Sequence, residues 1–403
     1  MSEMPAKHVN KVSENPCPIC GSKQLQVFFE MTDVPIHCNI LWSRRDAAQN
    51  CPRGDIQLAF CPVCSFITNL KFEQDRLEYT NAYENPLHFS PHFQVYARSL
   101  AEHLIERYNL HNKDIIEIGC GDGYFLKLLC ELGNNRGVGF DPAYSEKEKH
   151  CERRNQVKFI QDIYSERYAD YQADLIVCRQ TLEHIQNPKG FLKELRQAIG
   201  NRLNSYTFFE VPNALNIFQK LSVWDIIYEH CSYFTPVSLS FIFSSSGFQI
   251  CDLTEEFRDQ FLCIDARPND QGNPDSDYEY SSKAKQIASY ITSFATNYQN
   301  KIEMYRRKLE NVGSRGQRAV VWGAGSKGVT FLNTLKNLQI EYVVDINPRK
   351  QGMYIPGTGQ RIVPPEFLRD YQPDVIIVMN PIYKSEIRQV AKNLDLTNRF
   401  VYA

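Results

Sequence analysis

The sequence predicts an α/β protein built on a doubly wound parallel sheet, with a small metal-binding module before it and a second α/β domain after it. Three observations carry this. Strand and helix patterns alternate from about Phe93 to Arg267, four cysteines pair as two CxxC knuckles near the start, and a second strand, glycine turn and helix begins at Arg318. The 403 residues exceed one ordinary core, because ~150 residues per domain gives roughly two to three domains. Three are expected: residues 1–75, 76–267 and 281–403.

Charge narrows the partners. The 45 Lys and Arg nearly cancel the 47 Asp and Glu, for a net −2, so no basic field draws the chain to nucleic acid or acidic lipid. Residues Met1 to Pro16 are polar, and no run approaches the ~18 apolar residues of a membrane span. A cytoplasmic, non-membrane protein acting on a small molecule is therefore expected. The chain has 13 cysteines, an odd number in a long chain, which fits a reducing compartment better than disulfides.

Residues Met1 to about Leu70 read as loop-rich, since Gly and Pro interrupt each apolar run. Cys17-Pro-Ile-Cys20 and Cys61-Pro-Val-Cys64 each let two thiolates reach one ion, and together they complete the four-sulfur shell that zinc prefers. Incidental thiols or a redox pair are the bland alternatives. Cys38 and Cys51 lie between the knuckles and could substitute as ligands, although lone cysteines are more often buried small hydrophobes. A closed site of four thiolates staples a module; it leaves no open position for catalysis.

A helix over Phe93–Tyr108 is expected to lead into a strand at Asp114–Ile118, a helix over Gly123–Leu132 and a strand at Gly137–Phe140. A polar helix near Glu146 follows, then strands at Val157–Ile160 and Asp174–Cys178, a helix over Gly190–Ile199, and strands at Tyr206–Val211, Phe248–Leu253 and Gln260–Ala266. The segment between Arg267 and Tyr280 has turn formers and no apolar period, which marks a linker. Ile287, Ile291, Phe294, Tyr298, Ile302, Tyr305 and Leu309 then recur every three or four residues, so one amphipathic helix covers most of Ser282–Glu310.

The first strand of the central unit ends in Glu117-Ile-Gly119-Cys-Gly121-Asp-Gly123. Glycines let the backbone approach a ligand, and a helix N-terminus favours negative charge. The pattern is acidic-x-GxGxG; Tyr124 stands where a dinucleotide fingerprint requires glycine. Asp141 ends the next strand, where acidic residues take ribose hydroxyls, and Asp162 follows the third. This ordered series resembles that of class I S-adenosylmethionine-dependent methyltransferases. The resemblance implies that Glu117, Gly119, Gly121 and Gly123 hold the methionine part, Asp141 the ribose and Asp162 the adenine, with Cys178, Arg179 and Gln180 lining the cofactor floor.

Downstream, Tyr228-Glu229-His230 follows an apolar helix. By itself the trio is ambiguous: imidazole can act as a base near neutrality, but a histidine beside aromatics is ordinarily a satisfied structural group. The whole chain resembles the nucleotide-sugar C-methyltransferases, with a zinc module, a methyltransferase domain bearing the YEH element, and a Rossmann-like C-terminal domain. That resemblance implies a nucleotide-linked sugar as substrate, His230 as base, and Tyr228, Glu229, His184 and Tyr83 or Tyr79 as its companions. Two departures stand out. Asp259-Gln-Phe-Leu262 replaces the Gly-Gly-Ser turn common in the family, and Arg179-Gln180 replaces its usual Asn. They leave open a methyltransferase with another acceptor, on oxygen, nitrogen or a different keto compound.

Gly323-Ala-Gly325-Ser-Lys-Gly328 satisfies GxGxxG, and Asp345 ends the following strand, a nicotinamide-type pattern when read locally. This leaves open a bifunctional enzyme that also uses NAD(P). The family resemblance implies instead a nucleotide-binding-type domain recruited to frame the substrate.

Overall fold

The computed structural model describes residues 11–77, 82–145, 156–269, 277–336 and 339–403. Expected features at Tyr79 and near Glu146 lie outside them.

The N-terminal module contains β1 (Lys11–Val12), β2 (Gln26–Pro35), helix α1 (Arg45–Gln49), β3 (Arg53–Phe60) and β4 (Ile67–Asn69). The strands pair antiparallel in the order β1-β2-β3-β4. This corrects the loop-rich expectation. Proline stands only at the end of β2, where it removes no central ladder bond, and irregular register between Val27 and Phe29 and between Met31 and Val34 hides the alternation.

The central domain adds α2 (Pro91–Tyr108), β5 (Asp114–Ile118), α3 (Tyr124–Gly133), β6 (Arg136–Phe140), β7 (Val157–Ile160), β8 (Leu175–Arg179), α4 (Pro188–Ile199), β9 (Tyr206–Pro212) and α5 (Ala214–Gln219). After β10 (Ser232–Tyr233) and α6 (Pro236–Ser244) come β11 (Phe248–Glu256) and β12 (Phe261–Pro268). The order is β11-β12-β9-β8-β5-β6-β7, with β5 to β9 parallel and β12 antiparallel to β9. Chain order reverses between β5 and β8, and ligands of such sheets bind beyond the strand ends at that switch point. Strand β10 leaves this sheet and pairs antiparallel with β4, making it the fifth strand of the module.

Helix α7 (Asp277–Ser314) follows, starting earlier than its apolar period suggested. Its buried face, Ile287, Ile291, Phe294, Ile302, Tyr305 and Leu309, joins a core shared by the module and the C-terminal domain. Phe294 packs 5.7 Å from Phe29 and Tyr305 packs 5.9 Å from Phe331, ring centre to ring centre. The last domain holds β13 (Ala319–Trp322), α8 (Ser326–Thr334), β14 (Ile340–Val344), β15 (Arg361–Val363), α9 (Leu368–Tyr371), β16 (Val375–Val378), α10 (Lys384–Asn393) and β17 (Arg399–Tyr402). Its sheet is parallel, in the order β15-β14-β13-β16-β17. Among the described residues no helix is long and apolar enough to cross a membrane.

Candidate active site

A cleft of about 1160 Å³ lies between the central and C-terminal domains, with Asn39 of the module also in its wall. Single-ligand sites typically hold roughly 300–1,000 Å³, so the cleft has room for a cofactor and an acceptor together.

One wall is the turn after β5. Gly119, Gly121 and Gly123 have φ of +71°, +55° and +78°, the left-handed region that favours glycine. A Cβ on Gly119 would stand 2.0 Å from Thr181 Oγ1, and one on Gly123 2.3 Å from the Phe159 ring, whereas Gly121 faces open space. The Gly121 N–H donates to Asp141 Oδ2 and the Ala143 N–H to Asp141 Oδ1, both at 2.8 Å. Burial raises the Asp141 carboxyl above its ordinary range. Glu117 is 3% exposed, and its Oε2 is buried without a hydrogen-bond partner. Burial pushes its carboxyl up to about 8, against the opposing pull of Arg179. An orphaned acid beside glycine amides and the start of α3 suits the ammonium and carboxylate of a bound amino acid. These residues fit S-adenosylmethionine.

Asp162 also lines the cleft, accepting from the Tyr168 hydroxyl and pairing with Arg167 at 2.5 Å. The Tyr168 hydrogen bond, then the Ile163 N–H and Arg167, hold its carboxyl below the ordinary range. The Cys178 thiol has no exposure, and the residue is absent from the cleft wall. Arg179 and Gln180 line the cleft, but both donate to Glu210 Oε1, at 3.0 and 3.1 Å. The Arg179 guanidinium also lies 4.1 Å over the Phe125 ring. Both side chains therefore brace β9, where Glu210 sits fully buried.

Opposite this wall, the trio divides. His230 lines the cleft, its ring centre 4.9 Å from that of His184 at an interplanar angle of 85°. His230 Nδ1 is buried without a hydrogen-bond partner. Burial, then the neighbouring His184, pull the His230 imidazole well below its ordinary value. Burial lowers His184 as well, with the Glu229 charge opposing.

Tyr228 corrects an expectation. Its hydroxyl accepts from the Glu73 N–H at 3.0 Å and donates to the Lys71 carbonyl at 3.3 Å, while its ring is fully buried against Gly54 and Phe72. It faces the module, not the cleft. Glu229 is also fully buried, with Oε1 3.1 Å from His37 Nδ1. Tyr83 does reach the cleft, and its ring centre lies 6.5 Å from that of His37. The loop is pinned at both ends: the Ile227 N–H donates to the Tyr233 hydroxyl, which donates back to the Ile227 carbonyl, both at 3.1 Å. His37 and Glu183 escaped sequence reasoning. His37 lies 192 positions from its partner, a pairing without local signal.

The third wall belongs to the C-terminal domain. The Ala324 N–H donates to Asp345 Oδ2 and the Asn347 N–H to Asp345 Oδ1, both at 2.8 Å, repeating the Asp141 arrangement. A Cβ on Gly328 would stand 2.0 Å from the Gly323 carbonyl, so the third glycine lets α8 start against β13. Lys327, on the cleft, pairs with Asp225 at 2.6 Å.

Away from the cleft, the four knuckle sulfurs lie within 4.8 Å of one another. Cys17 Sγ is 3.6 Å from Cys64 Sγ, and Cys20 Sγ is 3.5 Å from Cys61 Sγ. Bonds of about 2.3 Å in a tetrahedron set sulfurs about 3.8 Å apart, so the cluster is compatible with zinc. Cys38 and Cys51 are buried apart from it.

Residues 92–253 match a family described as a methyltransferase domain, and residues 276–403 match the C-methyltransferase C-terminal domain. The C-methyltransferase NovU of Streptomyces niveus is 25% identical over 324 residues, 75% of each chain. A mitochondrial ubiquinone biosynthesis O-methyltransferase of Dictyostelium discoideum is 24% identical over 174 residues, 36% of this chain and 52% of that protein. Among solved structures, magnesium protoporphyrin IX methyltransferase of Synechocystis PCC 6803 with bound SAH gives a TM-score of 0.34 at 16% identity, over 44% of this chain and 84% of that one. The chain belongs to the S-adenosylmethionine-dependent methyltransferases that carry a C-methyltransferase C-terminal domain.

Proposed function

We propose that the chain methylates a carbon of a nucleotide-linked 4-keto sugar, with His230 as the base and a structural zinc ion held by Cys17, Cys20, Cys61 and Cys64. One observation carries the reading: His230 lies in a cleft with the Gly119–Gly123 turn on one side and the Gly323–Gly328 turn on the other. The first suits S-adenosylmethionine through Glu117, the glycine amides, Asp141 and Asp162. The second, with Asn347 and Lys350 beside it, suits the nucleotide end of the acceptor.

Bound S-adenosylmethionine supplies an electrophilic sulfonium methyl group. His230 takes the proton from the carbon beside the ketone and the electron pair of that C–H bond passes into the enolate; the cofactor, held by Glu117, Asp141 and Asp162, would supply the methyl group that this carbon accepts. Tyr83, one of the tyrosines that line the cleft, meets the developing oxygen charge. His184 crosses the His230 ring and orients it, while Glu229, held by His37, and Tyr228 fix the loop from the module side.

A second reading, with another acceptor, is favoured by Phe257, Arg258 and Asp259, which have φ of +50°, +55° and +65° in succession. This left-handed turn between β11 and β12 places Phe257 and Arg258 at the cleft and reshapes the pocket where the family turn differs. Isotope-labelled S-adenosylmethionine and a panel of nucleotide-linked 4-keto sugars test the proposal. A carbon-bound methyl located by NMR supports it, provided His230→Ala loses turnover and keeps cofactor affinity. Transfer to oxygen or nitrogen alone overturns the carbon assignment.

A further inference from the structure

We propose that Glu183, His184 and His230 form a second metal site, which takes one divalent ion of the zinc class in the cleft wall and thereby withdraws the base. The second half of this rests on the reading of His230 as base; the metal site does not.

One carboxylate oxygen and two imidazole nitrogens lie within 4.8 Å of one another here. Two nitrogens and an oxygen form a three-ligand shell of the kind zinc uses when a fourth position stays open. All three residues line the cleft, so an ion has an entry path and the open position faces substrate space.

The ligand atoms are prepared for a cation. Glu183 is 1% exposed, yet both of its carboxylate oxygens are buried without a hydrogen-bond partner. A carboxylate desolvated in this way is costly unless a proton or a cation meets it. His230 Nδ1 is a third buried, unpartnered atom of the same cluster. The backbone is also fixed in advance. Glu183 and His184 share the turn Leu182–His184, closed by the His184 N–H on the Thr181 carbonyl at 3.0 Å. The Cys231 thiol, next to His230 in sequence, lies 3.4 Å from the Glu183 carbonyl oxygen and ties the two segments together.

Chemistry separates this site from the knuckles. Four thiolates bind zinc in a closed shell, so the knuckles fill first and the cleft second. A metal bound to His230 occupies the lone pair that would otherwise take the substrate proton, so occupancy and turnover exclude each other.

The test uses the full chain with one zinc per molecule, titrated with Zn²⁺ and separately with Co²⁺. Expected is one further equivalent, whose cobalt spectrum lacks thiolate charge-transfer absorption, with turnover falling in step and returning when a mild chelator removes that equivalent alone. Glu183→Gln and His184→Asn lose the second equivalent while retaining the first, which reports an intact fold. Saturation at one equivalent overturns the site. A second equivalent that persists in both variants overturns the assignment to these ligands, and one that leaves turnover untouched while His230→Ala abolishes it overturns the withdrawal of the base. Full turnover of metal-free His230→Ala refutes the base reading alone, and the binding stoichiometry then still decides the metal site.

Discussion

Replacing Tyr228 by Phe separates two roles that the YEH pattern merges. The ring stays packed on Gly54 and Phe72, so no cavity forms, and the change removes only the hydroxyl bonds to the Glu73 N–H and the Lys71 carbonyl. A hydrogen bond is worth about 0.5–1.5 kcal/mol net, so the pair amounts to about 1–3 kcal/mol. At roughly 4–8 °C per kcal/mol for a unit of 60–100 residues, the module's melting midpoint falls by about 4–24 °C. The kinetic effect is small: kcat stays within about threefold, because the lost oxygen does not reach the reacting atoms. Had the hydroxyl met a developing enolate, its loss would cost about 10²–10³ in kcat. Thermal melting and steady-state turnover on the same preparation decide between these. A hundredfold fall in kcat with an unchanged midpoint refutes the placement of Tyr228.

Three further outcomes are expected. Cys61→Ser loses zinc and most turnover but keeps cofactor affinity, since the loop bearing His230 is built on the module while the Gly119 turn is not; a fully metallated variant of equal stability would refute the four-cysteine site. Asp141→Ala frees the Gly121 and Ala143 amides and weakens S-adenosylmethionine by about 10- to 100-fold in calorimetry, at ~1.4 kcal/mol per tenfold; unchanged affinity contradicts the ribose role. Glu117 titrates near 8 when folded, above its unfolded value, so the folded state keeps a proton that the unfolded chain releases. Its burial therefore costs stability increasingly as pH rises from about 4.5 to 8, by up to about 3 kcal/mol at pH 7. Glu117→Gln removes that slope, and urea midpoints from pH 5 to 8 that move in parallel in both proteins would discredit it.

What could be read in advance follows the range of the forces involved. The strand at Asp114–Ile118 occurs at the residues its apolar run marked, because a buried parallel strand carries its pattern in adjacent residues. Helix ends shifted by a few residues, as with α2 beginning at Pro91 behind its Ser90 cap. The module sheet was missed because its longest strand has interrupted register. In the site, Gly119 and Asp141 were legible as a spaced motif, whereas side-chain direction was not. Nothing in Tyr-Glu-His says that the first two face a sheet built far earlier in the chain. Arg179 likewise reads as a cofactor contact until Glu210, from the neighbouring strand, is seen to hold it.

The pairing of β10 with β4 also orders events in time. Ser232 meets Thr68 and Tyr233 meets Ile67, so the outer edge of β4 has no strand beside it until ribosomal synthesis has passed residue 233. At roughly 5–20 residues per second, the intervening stretch leaves that edge bare for on the order of ten to thirty seconds, a template for wrong pairing. Loop closure of this length is slow as well. Yield in the cell is thus sensitive to translation speed and chaperone supply over the first half of the chain, even where the finished protein is stable.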